Sequence, residues 1–343
     1  VSRLVVDLGQ LATNIRAMRE RVEPADFLFV LKDDAYGHGV EPVALAAARA
    51  GVRWFGAVDV PTCLTARAVV GPDARILAWS RAPRDLVSAA IESGLDLGVG
   101  DAGYLDEVAA VSAGRRARVH LKIDTGLRRS GVRPEEWSAF VARAAELEAS
   151  RDISVTGIWS HIAETSNADD DDARALFAWA VEAAVSAGLT PEVRHLAASA
   201  AAHARGEFRF DLARIGAFGY GIRSAGGAVL DGIAPAATLF GRVSAVGDGG
   251  VEIDLGALDG LPSSLAGRVE VGTPGGPRAL TVIGPTSATV DAWPTAAVGD
   301  EVAVFGPGRL GEHDATTLAE AIGTVGEELL VRVSPLVPRE YTR

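Results

Sequence analysis

Short apolar runs alternate with alanine-rich helical segments through the first two-thirds of the chain. No other feature restricts the fold as strongly. The runs are 27–32, 54–58, 75–80, 95–100, 118–124, 154–161, 193–197 and 211–214, and most are bounded by Gly, Asp or Pro. Strands of a parallel sheet covered on both faces read this way, as near-continuous apolar segments. Between them, stretches such as 42–50, 102–112, 135–149 and 172–187 carry Ala, Leu, Glu and Arg at helical spacing. Eight strands with intervening helices predict an α/β fold, specifically a (β/α)8 TIM-like barrel. A doubly wound sheet is the rival, but it needs a GxGxxG loop after the first strand, and none is present.

The pattern changes after about Ile222. Gly, Pro, Thr and Val dominate from there, with strand-like runs at 250–255, 267–271, 278–283, 301–305 and 329–333 and one short helix near 316–322. The expected organisation is a barrel over 8–225 and an all-β domain made of 226–343 plus the initial strand 1–7. The acidic run 167–172 lacks the glycine and closing glutamate of a calcium loop. It reads as a solvated helix N-terminus, where acidic side chains favour the helix dipole.

Composition narrows the partners. With 343 residues, 48% hydrophobic and 23% charged, the chain is expected to be globular. A net charge of −12 disfavours nucleic acid and anionic membrane surfaces. No apolar run reaches the ~18 residues of a membrane span. The single cysteine, Cys63, allows no intrachain disulfide, and the first residues lack a signal-peptide layout, so a cytoplasmic enzyme is expected. Lys32 and Lys122 are the only lysines; every other one of the 33 basic positions is arginine. A deprotonated primary amine forms an imine or a carbamate and a guanidinium does not, so a lysine kept under such a bias points to amine chemistry.

The first run ends in Lys32-Asp33-Asp34-Ala35-Tyr36-Gly37-His38-Gly39. A lysine closing a barrel strand points into the mouth, where such barrels place their active sites. The stretch resembles the signature of the alanine racemase family, whose lysine holds pyridoxal 5'-phosphate. The resemblance continues through His120-Leu121-Lys122-Ile123-Asp124-Thr125-Gly126-Leu127-Arg128-Arg129, Gly157-Ile158-Trp159-Ser160-His161, Ala197-Ala198-Ser199-Ala200 and Asp211-Leu212-Ala213-Arg214-Ile215-Gly216-Ala217. It implies that Lys32 is the catalytic residue and that Tyr36, Ser199 and the backbone amides of Gly216 and Ala217 take the phosphate. It also implies that His161 lies against the cofactor ring, that Arg214 faces the pyridine nitrogen and that Arg129 touches the phenolic oxygen. Lys122 is the candidate for carbamylation, paired with Arg129. An arginine can only donate, so the ring nitrogen stays unprotonated and the cofactor is a restrained electron sink.

One part of the family pattern differs. The family's second acid/base is a tyrosine in the β domain of the partner subunit. The aligned stretch here is Leu255-Gly256-Ala257-Leu258-Asp259-Gly260, with Ala257 in that place, and the chain has no tyrosine between Tyr220 and Tyr341. The resemblance therefore implies a racemase-like enzyme, an isomerase acting at Cα of a small amino acid. One-sided chemistry such as decarboxylation, or cofactor binding with little turnover, remains as an alternative. It also implies a head-to-tail homodimer in which each β domain covers the partner's barrel mouth.

Overall fold

The structure, a computed structural model, describes residues 1–112, 114–164 and 166–343. The chain forms two compact units. One comprises Met18–Lys32 and Ala47–Gly216; the other comprises Val1–Ala17, Asp33–Ala46 and Ala217–Arg343.

In the first unit, among the described residues, eight parallel strands form a barrel. They are Asp26–Val30, Trp54–Ala57, Arg75–Ala78, Asp96–Val99, Ala117–Lys122, Ile153–Trp159, Val193–His195 and Leu212–Ile215. The last strand pairs with the first, with Asp26 opposite Leu212. The seventh and eighth are joined by Asp211 N–H to Arg194 O (3.0 Å) and Arg214 N–H to Ala197 O (3.2 Å). Each strand coincides with one of the eight apolar runs, and Trp54–Ala57, Asp96–Val99 and Leu212–Ile215 are buried throughout.

The intervening helices start where the sequence supplies caps. Asp59 accepts from Thr62 N–H (2.8 Å) ahead of Val60–Val70. Ser166 accepts from Asp169 N–H ahead of Asn167–Ser186, with Asp169 and Asp170 in its first turn. The acidic run is thus a helix start, as expected. Pro134–Ala149 buries Trp137, Phe140, Val141, Ala144 and Leu147, a stripe at helical spacing.

The second unit contains an antiparallel barrel. Its strand order is Gly250–Ile253, Ala288–Val290, Gly276–Ile283, Glu270–Thr273, Glu301–Phe305, Ala237–Gly247, Arg3–Asp7 and Arg339–Thr342, and Gly250–Ile253 pairs back onto Ala237–Gly247. The initial strand joins this sheet, as expected, and its pairing with Arg339–Thr342 is parallel. The run 329–333 is not a strand. It lies in and just after the helix Gly326–Arg332, which follows the Ala315–Glu320 helix. Glu327 and Glu328 occupy its first turn, Glu328 pairs with Arg332 one turn on, and Leu329, Leu330 and Val333 are buried. A short apolar run flanked by charge fits either period, and here Leu329, Leu330 and Val333 are buried by a helix.

The base of the parallel barrel is tied by one buried carboxylate. Asp96, fully buried at the start of its strand, accepts from Arg75 Nε (3.1 Å), Arg118 Nε (2.8 Å) and Thr156 Oγ1 (3.1 Å). Burial raises the Asp96 carboxyl to about 6, and Arg75 and Arg118 keep partial access to water, so losing the carboxylate costs ~1–3 kcal/mol. Asp96→Ala is expected to lose that much unfolding free energy and so to have a lower urea midpoint; an unchanged midpoint would show that the cluster holds nothing.

Candidate active site

The candidate residues of the first unit lie at the carboxyl ends of its strands, the end at which barrels of this kind do chemistry. Lys122 is the last residue of its strand, His161 lies two residues past Trp159, Ser199 opens the short helix Ser199–Ala204 after Val193–His195, and Gly216 follows Ile215. Lys32 lies two residues past Val30 rather than on the strand itself. Beyond it the backbone turns left-handed: Asp33, Asp34, Ala35 and Tyr36 have φ of 55°, 53°, 54° and 55°. The strand-closing lysine of the sequence reading therefore directly precedes a left-handed turn.

Arg214 organises the centre. It is 5% exposed. Its Nη2 shares two protons among Ser160 O (2.9 Å), Leu196 O (2.9 Å) and His161 Nδ1 (3.1 Å), and its Nη1 donates to His195 Nδ1 (3.0 Å). A guanidinium has only protons to give, so both imidazoles must present a lone pair at Nδ1. His195 then donates from Nε2 to His120 Nδ1 (2.8 Å). That leaves the proton of His120 on Nε2, 3.9 Å from Asp96. Burial and the nearby arginines push both histidines well below the usual imidazole range, His120 to about 3, so both are neutral. Gly157 makes room for this chain: a Cβ there would lie 2.4 Å from His120 Nδ1. The sequence reading missed His120 and His195. The signal was available, because His120 and Lys122 stand two apart on one strand and so share a face.

Positive charge crowds this end. Burial lowers His161 to about 3, and the cations Arg214, Arg129, Lys122 and Lys32 lower it further. Lys122 is 6% exposed, donates to Ser130 Oγ (2.6 Å) and lies 4.4 Å over the Trp159 ring. Desolvation, then Arg214 and Arg129, bring its amine down to about 8. The same burial and Arg129 bring Arg214 to about 9, still a cation at neutral pH. Ser199 accepts from Gly216 N–H (2.9 Å), which leaves its hydroxyl proton to donate. In the other unit, the Ala217 amide hydrogen-bonds the Tyr36 hydroxyl.

A family model described as alanine racemase, N-terminal domain, matches residues 6–224. An alanine racemase of Thermobifida fusca (strain YX) is 38% identical over 365 residues, which span 98% of this chain and 97% of that one. One from Beutenbergia cavernae is also 38% identical, over 99% and 97%. Among solved structures, alanine racemase from Streptomyces coelicolor A3(2) superposes with a TM-score of 0.94 at 33% identity, covering 100% of this chain and 98% of that one. This chain belongs to the alanine racemase family. Alanine racemases are pyridoxal-phosphate-dependent isomerases, and the resemblance read from the sequence motifs agrees with the full-length match.

The residues present fit that cofactor. Its phosphate and phenolic oxygen are anionic, and the first unit gathers four cations around one neutral imidazole at the strand ends. A serine with a proton to give and a glycine amide stand beside each other at the end of the last strand. The family lysine is one of only two in the chain.

The lowered Lys122 has a consequence for stability. Its amine binds a proton less readily in the folded than in the unfolded chain, so it destabilises fully below pH 8, and the penalty vanishes above about 10.4. Lys122→Met is expected to stabilise the cofactor-free protein by ~1–3 kcal/mol at pH 7, the gain disappearing by pH 10.5. Urea titrations at the two pH values measure this; an equal effect at both would rule out the proton linkage.

Proposed function

We propose that this chain holds pyridoxal 5'-phosphate through Lys32 and moves the proton at Cα of a small amino acid as a racemase. The observation that carries the reading is buried Arg214 bonded to His161 at the barrel's strand ends, with Lys32, Lys122 and Arg129 within electrostatic reach of the same imidazole. When bound, the cofactor supplies an electron sink for charge developing at Cα.

The chain's own residues divide the remaining work. Lys32 supplies the primary amine that tethers the cofactor and, once released, a base on one face of Cα. Arg214, assigned to the pyridine nitrogen, cannot accept a proton and so keeps that nitrogen from gaining a full positive charge. Charge at Cα is then less dispersed, which favours proton exchange at that carbon over competing bond cleavages. His161 is fixed in tautomer by Arg214 and offers a neutral face to the ring. Arg129 is assigned to the phenolic oxygen. The Ser199 hydroxyl and the Gly216 amide are assigned to the phosphate, and by family resemblance so are the Tyr36 hydroxyl and the Ala217 amide. Lys122, neutral above pH 8, is open to addition of carbon dioxide with loss of a proton, which would convert one of the clustered cations into an anion.

The second face needs a second proton carrier. Ala257 opens the short turn Ala257–Asp259 and is exposed, as is Leu258 at 71%. Neither side chain carries a proton to transfer. This favours one further reading, chemistry from a single face, with decarboxylation as the example. In either case we propose a homodimer, in which the β domain of one protomer serves its partner.

Borohydride reduction of the cofactor-loaded protein should attach the label to Lys32, and Lys32→Ala should lose both the label and the visible absorption band. In deuterated water, Cα exchange with inversion supports racemisation. Exchange with retention replaces it by one-sided chemistry, and an unlabelled Lys32 overturns the cofactor assignment.

A further inference from the structure

Asp33, Asp34, Ala35 and Tyr36 form one turn of left-handed helix, closed by Gly37 N–H to Asp33 O (2.9 Å) and Gly39 N–H to Asp34 O (2.9 Å). Each non-glycine residue in this conformation is strained, because Cβ crowds the following carbonyl. Four in succession require neighbours that hold them. Asp34 Oδ1 accepts from Val40 N–H (3.0 Å), and Arg339 Nε donates to Gly37 O (3.2 Å). The remaining Arg339 nitrogens bind the carbonyls of Val333, Ser334 and Val337, which ties the C-terminal segment to the turn.

His38 makes the most direct contact. It is fully buried, and its Nδ1 lies 3.0 Å from Ala35 O and 2.9 Å from Tyr36 O. Carbonyl oxygens only accept, so the proton of this ring is on Nδ1 and the lone pair on Nε2. Nε2 is buried and has no hydrogen-bond partner among the described residues. A buried acceptor left unmatched is destabilising. A phenyl ring would pack against Tyr220, 4.9 Å away, without that cost. The imidazole therefore serves here through Nδ1. Burial also lowers it to about 4, which keeps the ring in this single-proton form at neutral pH.

We propose that His38 is a positioning residue whose Nδ1–H, shared by the Ala35 and Tyr36 carbonyls, holds the left-handed turn that directly follows Lys32. Its relevance to catalysis rests on the assignment of Lys32 to the cofactor; its effect on the backbone does not. His38 touches no reacting atom in this scheme. It holds the chain on the C-terminal side of the lysine.

The test compares three variants of the full-length chain. In His38→Asn the side-chain amide nitrogen falls near the Nδ1 position; in His38→Gln it falls near Nε2; His38→Phe keeps the ring shape without a donor. Hydrogen exchange at the Gly37 and Gly39 amides of the cofactor-free protein reads the turn itself. His38→Phe and His38→Gln are expected to speed that exchange at least ~10-fold, and His38→Asn to restore it to within ~3-fold of the parent. The cofactor's visible band, titrated with pyridoxal phosphate, should show the same order of weakened binding. Equal exchange in His38→Phe and the parent would overturn the proposal, as would equal exchange in the Asn and Gln variants. If His38→Phe does not fold, the isomer-like Asn and Gln pair still decides the matter. Faster exchange in His38→Phe together with an unlabelled Lys32 in the parent would uphold the turn's dependence on His38 and discard the cofactor reading.

Discussion

Like charge gathered where the parallel strands end is the constraint on which the rest of this structure depends. Lys32, Lys122, Arg129 and Arg214 all act on His161, and two of them are almost fully withdrawn from water. Desolvation and mutual repulsion each disfavour a charged form, so their effects add. The consequences are visible residue by residue. Lys122 approaches neutrality, His161 is held neutral, and Arg214 satisfies its protons on carbonyls and imidazoles. An arrangement of this kind is relieved by anionic oxygen placed among the cations, the part proposed above for the cofactor's phenolic oxygen at Arg129 and for a carbamate on Lys122.

The barrel supports this charge from beneath. From Arg214 the hydrogen bonds run inward through His195 to His120, whose outward proton faces Asp96 at the base. Every proton direction in the chain follows from the guanidinium at its head, because that group cannot accept. Two neutral histidines thus orient Arg214 without neutralising it. Asp96 belongs to a separate balance with Arg75 and Arg118, at the opposite end of the strands from the cation cluster.

Much of this was legible in the sequence. Strands buried on both faces leave continuous apolar runs, and all eight of the barrel appear in the structure where those runs stand. Scarcity of lysine singled out Lys32 and Lys122 because amine chemistry has no arginine substitute. The missed features are those whose cause lies outside the local segment. The 326–332 helix looked like a strand because a run of apolar residues has no period of its own, and its Glu328–Arg332 pair shows only once the helix exists. His120 and His195 stand 75 residues apart in the chain, so no local pattern joins them.

By itself the sequence determined the class of fold, the two lysines open to amine chemistry and the family motifs. Each of these is written in composition or in spacing within one segment. The tertiary structure alone decided that four cations meet at one imidazole, that two distant histidines form a chain behind Arg214, and that the backbone after Lys32 turns left-handed. Local preference alone does not select that turn: aspartate enters it more readily than most residues, but Ala35 and Tyr36 avoid it. It persists because His38 and Arg339 collect its carbonyls, and contacts of that kind exist only after the chain has closed on itself.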